Sequence, residues 1–273
     1  MITGGSIPLG NKECFLITLD ALNSLVKLPI DGRSPASKYF RSQQVPDIAL
    51  YFNGKHAEGG FDVRYMIWGL NRAIAYMVDR QEFFDWRFTL RWQNKFVGYL
   101  WYLYERPREG LEANKTSNWS NLTHTGRDIA IFGNGDQNAV FDFRIKDLPS
   151  GTLSLNDVIM VIIGGLTDIA TNDMAVQVRG NSFHTELAPY RGRFELMPAA
   201  SPLYFPSWFT YDVVRQALGS FAAWYLLSET CKPARILMFR DGLYCGRGSL
   251  LVNRAKLVEV GRVEGRERNS TSS

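Results

Sequence analysis

Two stretches of the chain decide its fold: CFLITLDALNSLV at residues 14–26 and VIMVIIGGLTDIA at residues 158–170. Their first residues, Cys14 and Val158, stand 144 positions apart, and apolar residues occupy corresponding places in both stretches. In the first stretch, apolar residues recur at intervals of three and four, which is the spacing of an amphipathic helix. Because a pattern repeated over this length is typical of internal duplication, the rest of the chain can be compared at a similar offset.

A polar residue three or four positions before each stretch predicts where its helix begins. Asn11 and Ser154 are suitable N-caps, because their side-chain oxygens can accept a hydrogen bond from a backbone N–H of the first turn. An acidic residue follows each of them within that turn, where the helix dipole favours negative charge. We therefore expect one helix to begin at each residue.

A strand and a second helix then follow in both halves. Residues 48–52 alternate in polarity as a strand does, and residues 194–196 repeat the pattern 146 positions later. A helix that begins near Asp62 has a counterpart that begins near Asp212, an offset of 150. The first of these helices carries one apolar stripe, which predicts that it packs against a sheet.

A hairpin closes each half. The sequence RFTLRWQNKFVGYL begins at Arg87, and RILMFRDGLYCGRG begins at Arg235, 148 positions later. Asp241–Gly242 is a strong two-residue turn, because both positions favour residues that tolerate positive φ. The matching positions predict that Gln93–Asn94 is the turn of the first hairpin.

The four matched elements predict an α+β protein made of two diverged copies of a helix-strand-helix-hairpin unit, with helices packed on antiparallel sheet and a pseudo-twofold relation between the copies. We expect the units to touch through their sheets or their second helices. Residues 1–104 form the first unit, 105–126 a polar linker, 127–260 the second unit with an extra N-terminal hairpin, and 261–273 a disordered tail. The alternative is that such alternation is shared by chance.

The helix LDALNSL at residues 19–25, a short strand, and a helix that ends in AYMVD at residues 75–79 before a hairpin carry a resemblance. This arrangement resembles uncharacterised tandem-unit proteins of filamentous fungi. The resemblance covers most of the chain through apolar patterns. It implies no activity and no cofactor.

Twelve apolar side chains on the predicted stripes are expected to be buried in the core. They are Phe15, Leu22, Met66, Leu70, Ile74, Phe88, Leu90, Ile159, Leu166, Leu218, Phe221 and Leu237.

Charge and hydropathy limit the classes of partner. Lysine and arginine total 31 against 27 acidic residues, a formal charge of +4, and the basic residues are scattered. A nucleic-acid-binding surface concentrates such residues in a patch or stripe, so no nucleic-acid partner is expected. No stretch approaches the roughly 18 apolar residues of a membrane span, so no membrane partner is expected.

The cellular compartment follows from weaker signals. The N-terminus lacks the basic region and apolar core of a secretory leader, which predicts an intracellular protein. Glycosylation sequons at Asn114, Asn118, Asn121 and Asn269 leave secretion open as the alternative.

Motifs that carry catalysis are missing from the sequence. It contains no GxSxG, HExxH or phosphate-binding GxxxxGK motif. Cys14, Cys231 and Cys245 are far apart and form no CxxC pair, so neither a metal nor another cofactor is expected. The sequence therefore favours a non-enzymatic binding or interaction protein. The alternative is a small-molecule enzyme with its pocket at the junction of the two units.

The first hairpin predicts two different faces. Trp86, Phe88, Leu90 and Trp92 alternate with Arg87, Thr89 and Arg91, so aromatic and basic side chains project from opposite faces. A turn at residues 93–94 predicts that Val97, Tyr99 and Trp101 join the aromatic face. Phe96, Gly98 and Leu100 would then share the face of the arginines.

The basic face of the first unit is the predicted binding surface, and its residues are Trp68, Arg72, Arg87 and Arg91. Guanidinium groups beside aromatic rings can hold an anionic or planar group, so we expect a protein or a small anionic or aromatic ligand. The alternative is a merely solvated face. The second copy supports binding, because apolar residues replace the polar or aromatic ones at four matching positions. The replacements are Leu237 and Phe239 on the hairpin, and Leu218 and Ala222 on the helix.

Overall fold

A computed structural model of the chain describes residues 2–54, 60–105, 123–125, 128–130, 141–149, 151–199, 207–228 and 231–253. Most of the predicted linker, the whole predicted tail, and the sequons at Asn114, Asn118, Asn121 and Asn269 lie outside these residues.

The elements of the first half follow the predicted order with short strands added. They are β1 (Ile2–Pro8), α1 (Asn11–Leu25), β2 (Arg33–Ser34), β3 (Ser37–Ser42), β4 (Val45–Asn53), β5 (Phe61–Asp62), α2 (Val63–Arg80), β6 (Phe84–Trp92) and β7 (Lys95–Tyr104).

The elements of the second half include a short 3₁₀ helix at Arg179–Asn181. The others are β8 (Thr123–Thr125), β9 (Asp128–Ala130), β10 (Phe141–Asp147), α3 (Leu155–Ile169), β11 (Phe183–Glu186), β12 (Gly192–Pro198), α4 (Tyr211–Leu227), β13 (Ala234–Arg240) and β14 (Leu243–Val252).

Two five-stranded sheets carry the fold, with strand orders β1-β6-β7-β4-β3 and β10-β13-β14-β12-β11. Neighbouring strands in both sheets are antiparallel. The predicted α+β class with antiparallel sheets is therefore confirmed. Among the described residues, no helix is long and apolar enough to cross a membrane.

The four helices form two central layers. Helices α1 and α2 pack on the first sheet, and α3 and α4 pack on the second. The halves then meet through their helices, since α1 contacts both α3 and α4, and α2 contacts α3. The sequence led us to expect contact through the sheets or the second helices. That expectation omitted α1 and α3, which are apolar enough to pack on two sides at once.

Two polar side chains buried inside the helical layers, Arg215 and Thr18, have hydrogen-bond partners. The Arg215 guanidinium is buried and donates to the Asp212 carboxylate at 2.7 Å and to Asn23 Oδ1 at 2.6 Å, which ties α4 to α1. Thr18 Oγ1 donates its one hydroxyl hydrogen to the Cys14 carbonyl at 2.6 Å. It can therefore only accept from the Tyr102 hydroxyl, which lies 2.7 Å away. These contacts satisfy groups that would otherwise be costly to bury.

Ten of the twelve side chains predicted to be buried are in the core. Leu90 is partly buried and packs against that core. Leu237 is also only partly buried, because Ile236 and Met238 on either side of it face inward and are fully buried.

A β-bulge in each hairpin sets which residues share a face. Leu90 pairs with Gly98 but Arg91 pairs with Phe96, so Val97 has no partner across the hairpin. In the second hairpin Met238 pairs with Gly246 and Phe239 pairs with Tyr244. Cys245, like Val97, therefore has no partner across its hairpin. The predicted turns are confirmed, since Gln93, Asn94, Asp241 and Gly242 all have positive φ.

The bulge overturns the predicted faces of the first hairpin. Arg87 lies directly opposite Trp101, and Thr89 lies opposite Tyr99, so both aromatic residues share the face of the arginine. Phe88 lies opposite Leu100 on the face that packs against the helices. The prediction was wrong because one extra residue in a strand moves every later side chain to the other face.

One predicted helix cap is also wrong. Ser154 caps α3 with a capping box, in which its Oγ accepts from the Asp157 backbone N–H at 3.0 Å and the Asp157 carboxylate accepts from the Ser154 N–H at 3.1 Å. Asn11 is instead the first residue of α1, whose N-cap is Gly10. Its Oδ1 accepts only from the neighbouring Lys12 N–H.

The predicted extra hairpin lies partly outside the described residues, since its loop falls between residues 131 and 140. Within the described part, β9 pairs with β8, and β10 pairs along its whole length with β13. Strand β10 therefore takes the edge position in the second sheet that β1 takes in the first.

Ser154, which caps α3, and Asn11, which does not cap α1, provide a matched pair of mutations. We expect Ser154→Ala to lower the free energy of unfolding by about 1 kcal/mol, because the first turn of α3 loses its capping hydrogen bond. Asn11→Ala should change it by less than about 0.5 kcal/mol, since Asn11 caps nothing. Urea unfolding followed by circular dichroism measures both. Equal losses from the two mutations would contradict this assignment of the caps.

Candidate ligand-binding cleft

A cleft of about 850 Å³ lies where the two halves meet. One wall comes from α2 and the far end of the β6–β7 hairpin, and the other comes from the end of α3 and the segment that follows β11. The lining residues are Tyr65, Trp68, Gly69, Asn71, Arg72, Ala75, Asp79, Thr89, Leu90, Arg91, Trp92, Val97, Thr167, Leu187, Ala188, Pro189 and Tyr190.

Three aromatic rings line the first wall. The Trp68 and Trp92 indoles stack with centroids 4.8 Å apart and planes at 27°, and Tyr65 lies 5.9 Å from Trp92. Gly69 lets α2 lie close to the hairpin, because a Cβ at that position would be only 3.0 Å from the Leu90 side chain. Trp92 remains 42% exposed, so part of its surface is open to a bound molecule.

Two arginines flank the aromatic rings. Arg72 lies one helical turn after Trp68 on α2, and Arg91 immediately precedes Trp92 on β6. Arg91 donates to the Asn94 carbonyl at 3.4 Å, while neither guanidinium forms an ion pair within the described part of the chain. Both side chains are exposed, so their charges are available to a ligand at the mouth of the cleft.

Two hydrogen bonds join the walls. Asn71 Nδ2 on α2 donates to Thr167 Oγ1 on α3 at 3.0 Å, and the Tyr190 hydroxyl donates to Asp79 Oδ1 at 3.1 Å. Burial and the bond to Asp79 raise the pKa of the Tyr190 hydroxyl above its ordinary value. The hydroxyl therefore stays protonated throughout the neutral range and keeps donating across the cleft to Asp79.

The structure brings three of the four predicted site residues together, since Trp68, Arg72 and Arg91 all line the cleft. Arg87 lies elsewhere, on the outer face of the first sheet. Its guanidinium is 3.9 Å from the centre of the Tyr99 ring and 5.7 Å from that of Trp101.

Several lining residues were not predicted from the sequence. Trp92 was assigned to the apolar face, although its position next to the turn at residues 93–94 was a signal that it could reach beyond the sheet. Thr167 and Tyr190 come from the second half, and no local pattern links them to Trp68. Only the packing of α2 against α3 brings them close.

Acidic, histidine and cysteine side chains are sparse in the described lining of the cleft. Its described lining contains one carboxylate, Asp79, which accepts from Tyr190, and it contains no histidine or cysteine. The nearby Asp168 carboxylate accepts from Thr185 Oγ1 at 2.8 Å and is not part of the lining. Within the described ranges no three metal-ligating side chains come together.

The thiols are poor candidates for a nucleophile. Burial raises the pKa of Cys14 to about 12 and that of Cys245 to about 11. Both therefore remain protonated at neutral pH, and the thiolate is the reactive form of cysteine.

No model of a known protein family, no curated protein and no solved structure matches this chain.

The bond between Tyr190 and Asp79 makes a pH-dependent prediction. We expect Tyr190→Phe to lower the free energy of unfolding by about 1 kcal/mol at pH 7, because one partly buried hydrogen bond is lost. The raised pKa of Tyr190 contributes stability that is complete below the unfolded value near 10 and is lost as the pH rises above it. Wild type should therefore lose its advantage over the variant progressively as the pH rises above about 10.

Urea unfolding of wild type and Tyr190→Phe at pH 7, 9 and 11 tests this expectation. Other buried tyrosines titrate equally in both proteins, so only the difference between the two is informative. A difference that does not change with pH would contradict the assigned role of the Tyr190 hydroxyl.

Proposed function

We propose that this chain is a binding protein that holds a small, planar, anionic ligand in the cleft between its two halves. The observation that carries the proposal is the stacked pair of Trp68 and Trp92 with Arg72 and Arg91 beside it. Aromatic rings and guanidinium groups attract a flat molecule with negative charge through stacking, cation–π contact and hydrogen bonding.

The size and lining of the cleft support this class of ligand. A volume of about 850 Å³ falls within the range of roughly 300–1,000 Å³ that is usual for small-molecule sites. Leu90, Val97, Leu187 and Pro189 supply an apolar lining, and a few polar groups stand among them. Such a mixture buries the body of a ligand and orients its charged end.

We also propose that the two halves are diverged copies of one unit. The shared strand order of the two sheets and the bulge at matching places in both hairpins support this relation. If it holds, a second cleft would be expected between α4 and α1. That place contains the buried Arg215, which bonds to Asp212 and Asn23.

The divergence between the copies supports binding at the first one only. At the positions matching Trp68 and Arg72, the second copy has Leu218 and Ala222, and both are completely buried. A face that packs in one copy and stays open with charge and aromatic rings in the other is available to a ligand. The alternative of an enzyme would need a general acid, base or nucleophile in the cleft, and its described lining supplies one carboxylate, Asp79, and no histidine or cysteine.

Two fluorescent probes test the proposal. Anilinonaphthalene sulfonate is flat and anionic, and phenylnaphthylamine has the same aromatic body without the charge. We expect wild type to bind the anionic probe more tightly. Arg72→Gln and Arg91→Gln should each lower the affinity for the anionic probe by about twofold to fivefold, which is the effect of losing one exposed charge pair. Neither variant should change the affinity for the neutral probe.

Matched variants separate stacking from charge. Trp68→Leu introduces the leucine that the second half has at the matching position, Leu218. It should lower the affinity for both probes by about twofold to tenfold, because the stacking surface is lost. Arg87→Gln removes an arginine outside the cleft and should leave both affinities unchanged. Equal effects of Arg87→Gln and Arg72→Gln on the anionic probe would contradict the proposed site.

A further inference from the structure

The outer face of the first sheet carries aromatic side chains instead of the polar ones expected beside solvent. We name as the aromatic face the residues Tyr39, Tyr51, Tyr99 and Trp101 together with Arg87. We propose that this face binds a second copy of the chain and forms a twofold dimer. The proposal concerns a surface separate from the cleft and does not depend on the ligand.

The register of the sheet places these residues in one row. Thr3 pairs with Arg87, Arg87 with Trp101, Trp101 with Tyr51, and Tyr51 with Tyr39, so the row crosses all five strands. Residues directly opposite one another project from the same face of a sheet. The row next to it contains Thr89, Tyr99 and Asn53.

The rings of this face are arranged against one another. Tyr39 and Tyr51 lie 4.4 Å apart between ring centroids, and Arg87 is 3.9 Å from the centre of the Tyr99 ring. Tyr39 is 53% exposed. Helices α1 and α2 pack on the opposite face of the sheet, so the side that carries this row faces away from them.

The second sheet shows how the same face is built when it is solvated. At the offset of 148 that relates the hairpins, Trp101 corresponds to Ser249 and Tyr99 to Arg247. Lys146 and Arg235 lie opposite one another on that face. The next row of that face also carries Leu237 and Met197, so the contrast with the first sheet is greatest in the row of Arg235, where polar residues take the place of the rings.

The composition of the aromatic face favours a protein partner. Tyrosine, tryptophan and arginine are the residues most enriched in the centres of protein interfaces, where lysine and glutamate are depleted. The aromatic face lies at the centre of the outer side of the sheet, whose five strands are about 4.8 Å apart and on average about eight residues long. That whole outer side measures about 24 by 28 Å, and its area of about 700 Å² is close to the roughly 800 Å² that each partner buries in a stable complex.

The geometry of the row favours a second copy as that partner. Trp101 lies on β7, the middle strand of the five, with Arg87 on one neighbouring strand and Tyr51 on the other. When two such faces pack on one another, a twofold axis that lies between the sheets, parallel to β7 and over Trp101, exchanges the two sides of the row. Arg87 of each copy then faces Tyr51 of the other copy, and a cation over an aromatic ring is a favourable contact.

Analytical ultracentrifugation over a range of concentrations tests the dimer. We expect wild type to approach twice the chain mass of 31.0 kDa. Trp101→Ser and Tyr99→Arg introduce the residues of the second sheet, so they should preserve the fold while raising the dimer dissociation constant at least tenfold. Arg235→Ala, on the outer face of the second sheet, should leave the constant unchanged.

A residue exchange tests the twofold contact itself. Arg87→Tyr and Tyr51→Arg should each weaken the dimer, and the chain that carries both should recover most of the affinity, because each arginine again faces a tyrosine.

Thermal unfolding by circular dichroism identifies any variant that fails to fold. A chain that stays monomeric at all concentrations would overturn the proposal and leave the face to a different partner, such as a carbohydrate. A dimer unaffected by folded Trp101→Ser and Tyr99→Arg variants would also overturn it.

Discussion

The packing of four helices between two sheets is the constraint on which the rest of this structure depends. Each central helix touches its own sheet on one side and helices of the other half on the other side. Helix α3 meets this requirement with a nearly continuous run of apolar residues, all buried from Val158 to Leu166. Thr18 and Arg215 enter these layers with partners, which are Tyr102 for Thr18 and Asn23 for Arg215. Without such partners, burial of these groups would cost more free energy than the surrounding apolar contacts supply.

The junction between the halves is closed on one side and open on the other. Where α4 meets α1, the buried Arg215 fills the space and connects the two helices. Where α2 meets α3, the smaller Asn71 and Thr167 make the contact, and the neighbouring Trp68 stacks on the hairpin. A cleft forms on that side because the hydrogen bonds at Asn71 and Tyr190 hold the walls together without filling the space between them.

The bulges at Val97 and Cys245 determine what each sheet presents to solvent. A regular hairpin would direct Tyr99 and Trp101 toward the helices, where Leu100 and Tyr102 are packed. One additional residue reverses this arrangement and sends the two rings outward to Arg87. In the second hairpin the same bulge sends Arg247 and Ser249 outward. The same local backbone feature therefore sends aromatic rings outward in one sheet, and in the other it sends outward an arginine and a serine, beside Leu237 and Met197.

The sequence by itself determined the four helices, a strand between the helices of each half, and both hairpins in their order, because apolar periodicity reports which side of a helix or strand is buried. It predicted both hairpin turns, the N-cap at Ser154 and most of the core, and it singled out three residues that line the cleft. Only the tertiary structure decided which faces the second strands of the hairpins present, since a bulge leaves no mark in the periodicity of the strand before it. The tertiary structure also decided that Tyr190 and Thr167 meet Asp79 and Asn71, and that Arg87 lies apart from Arg72 and Arg91. Such contacts join residues about 100 positions apart, and they follow from how two helical layers pack rather than from any local pattern.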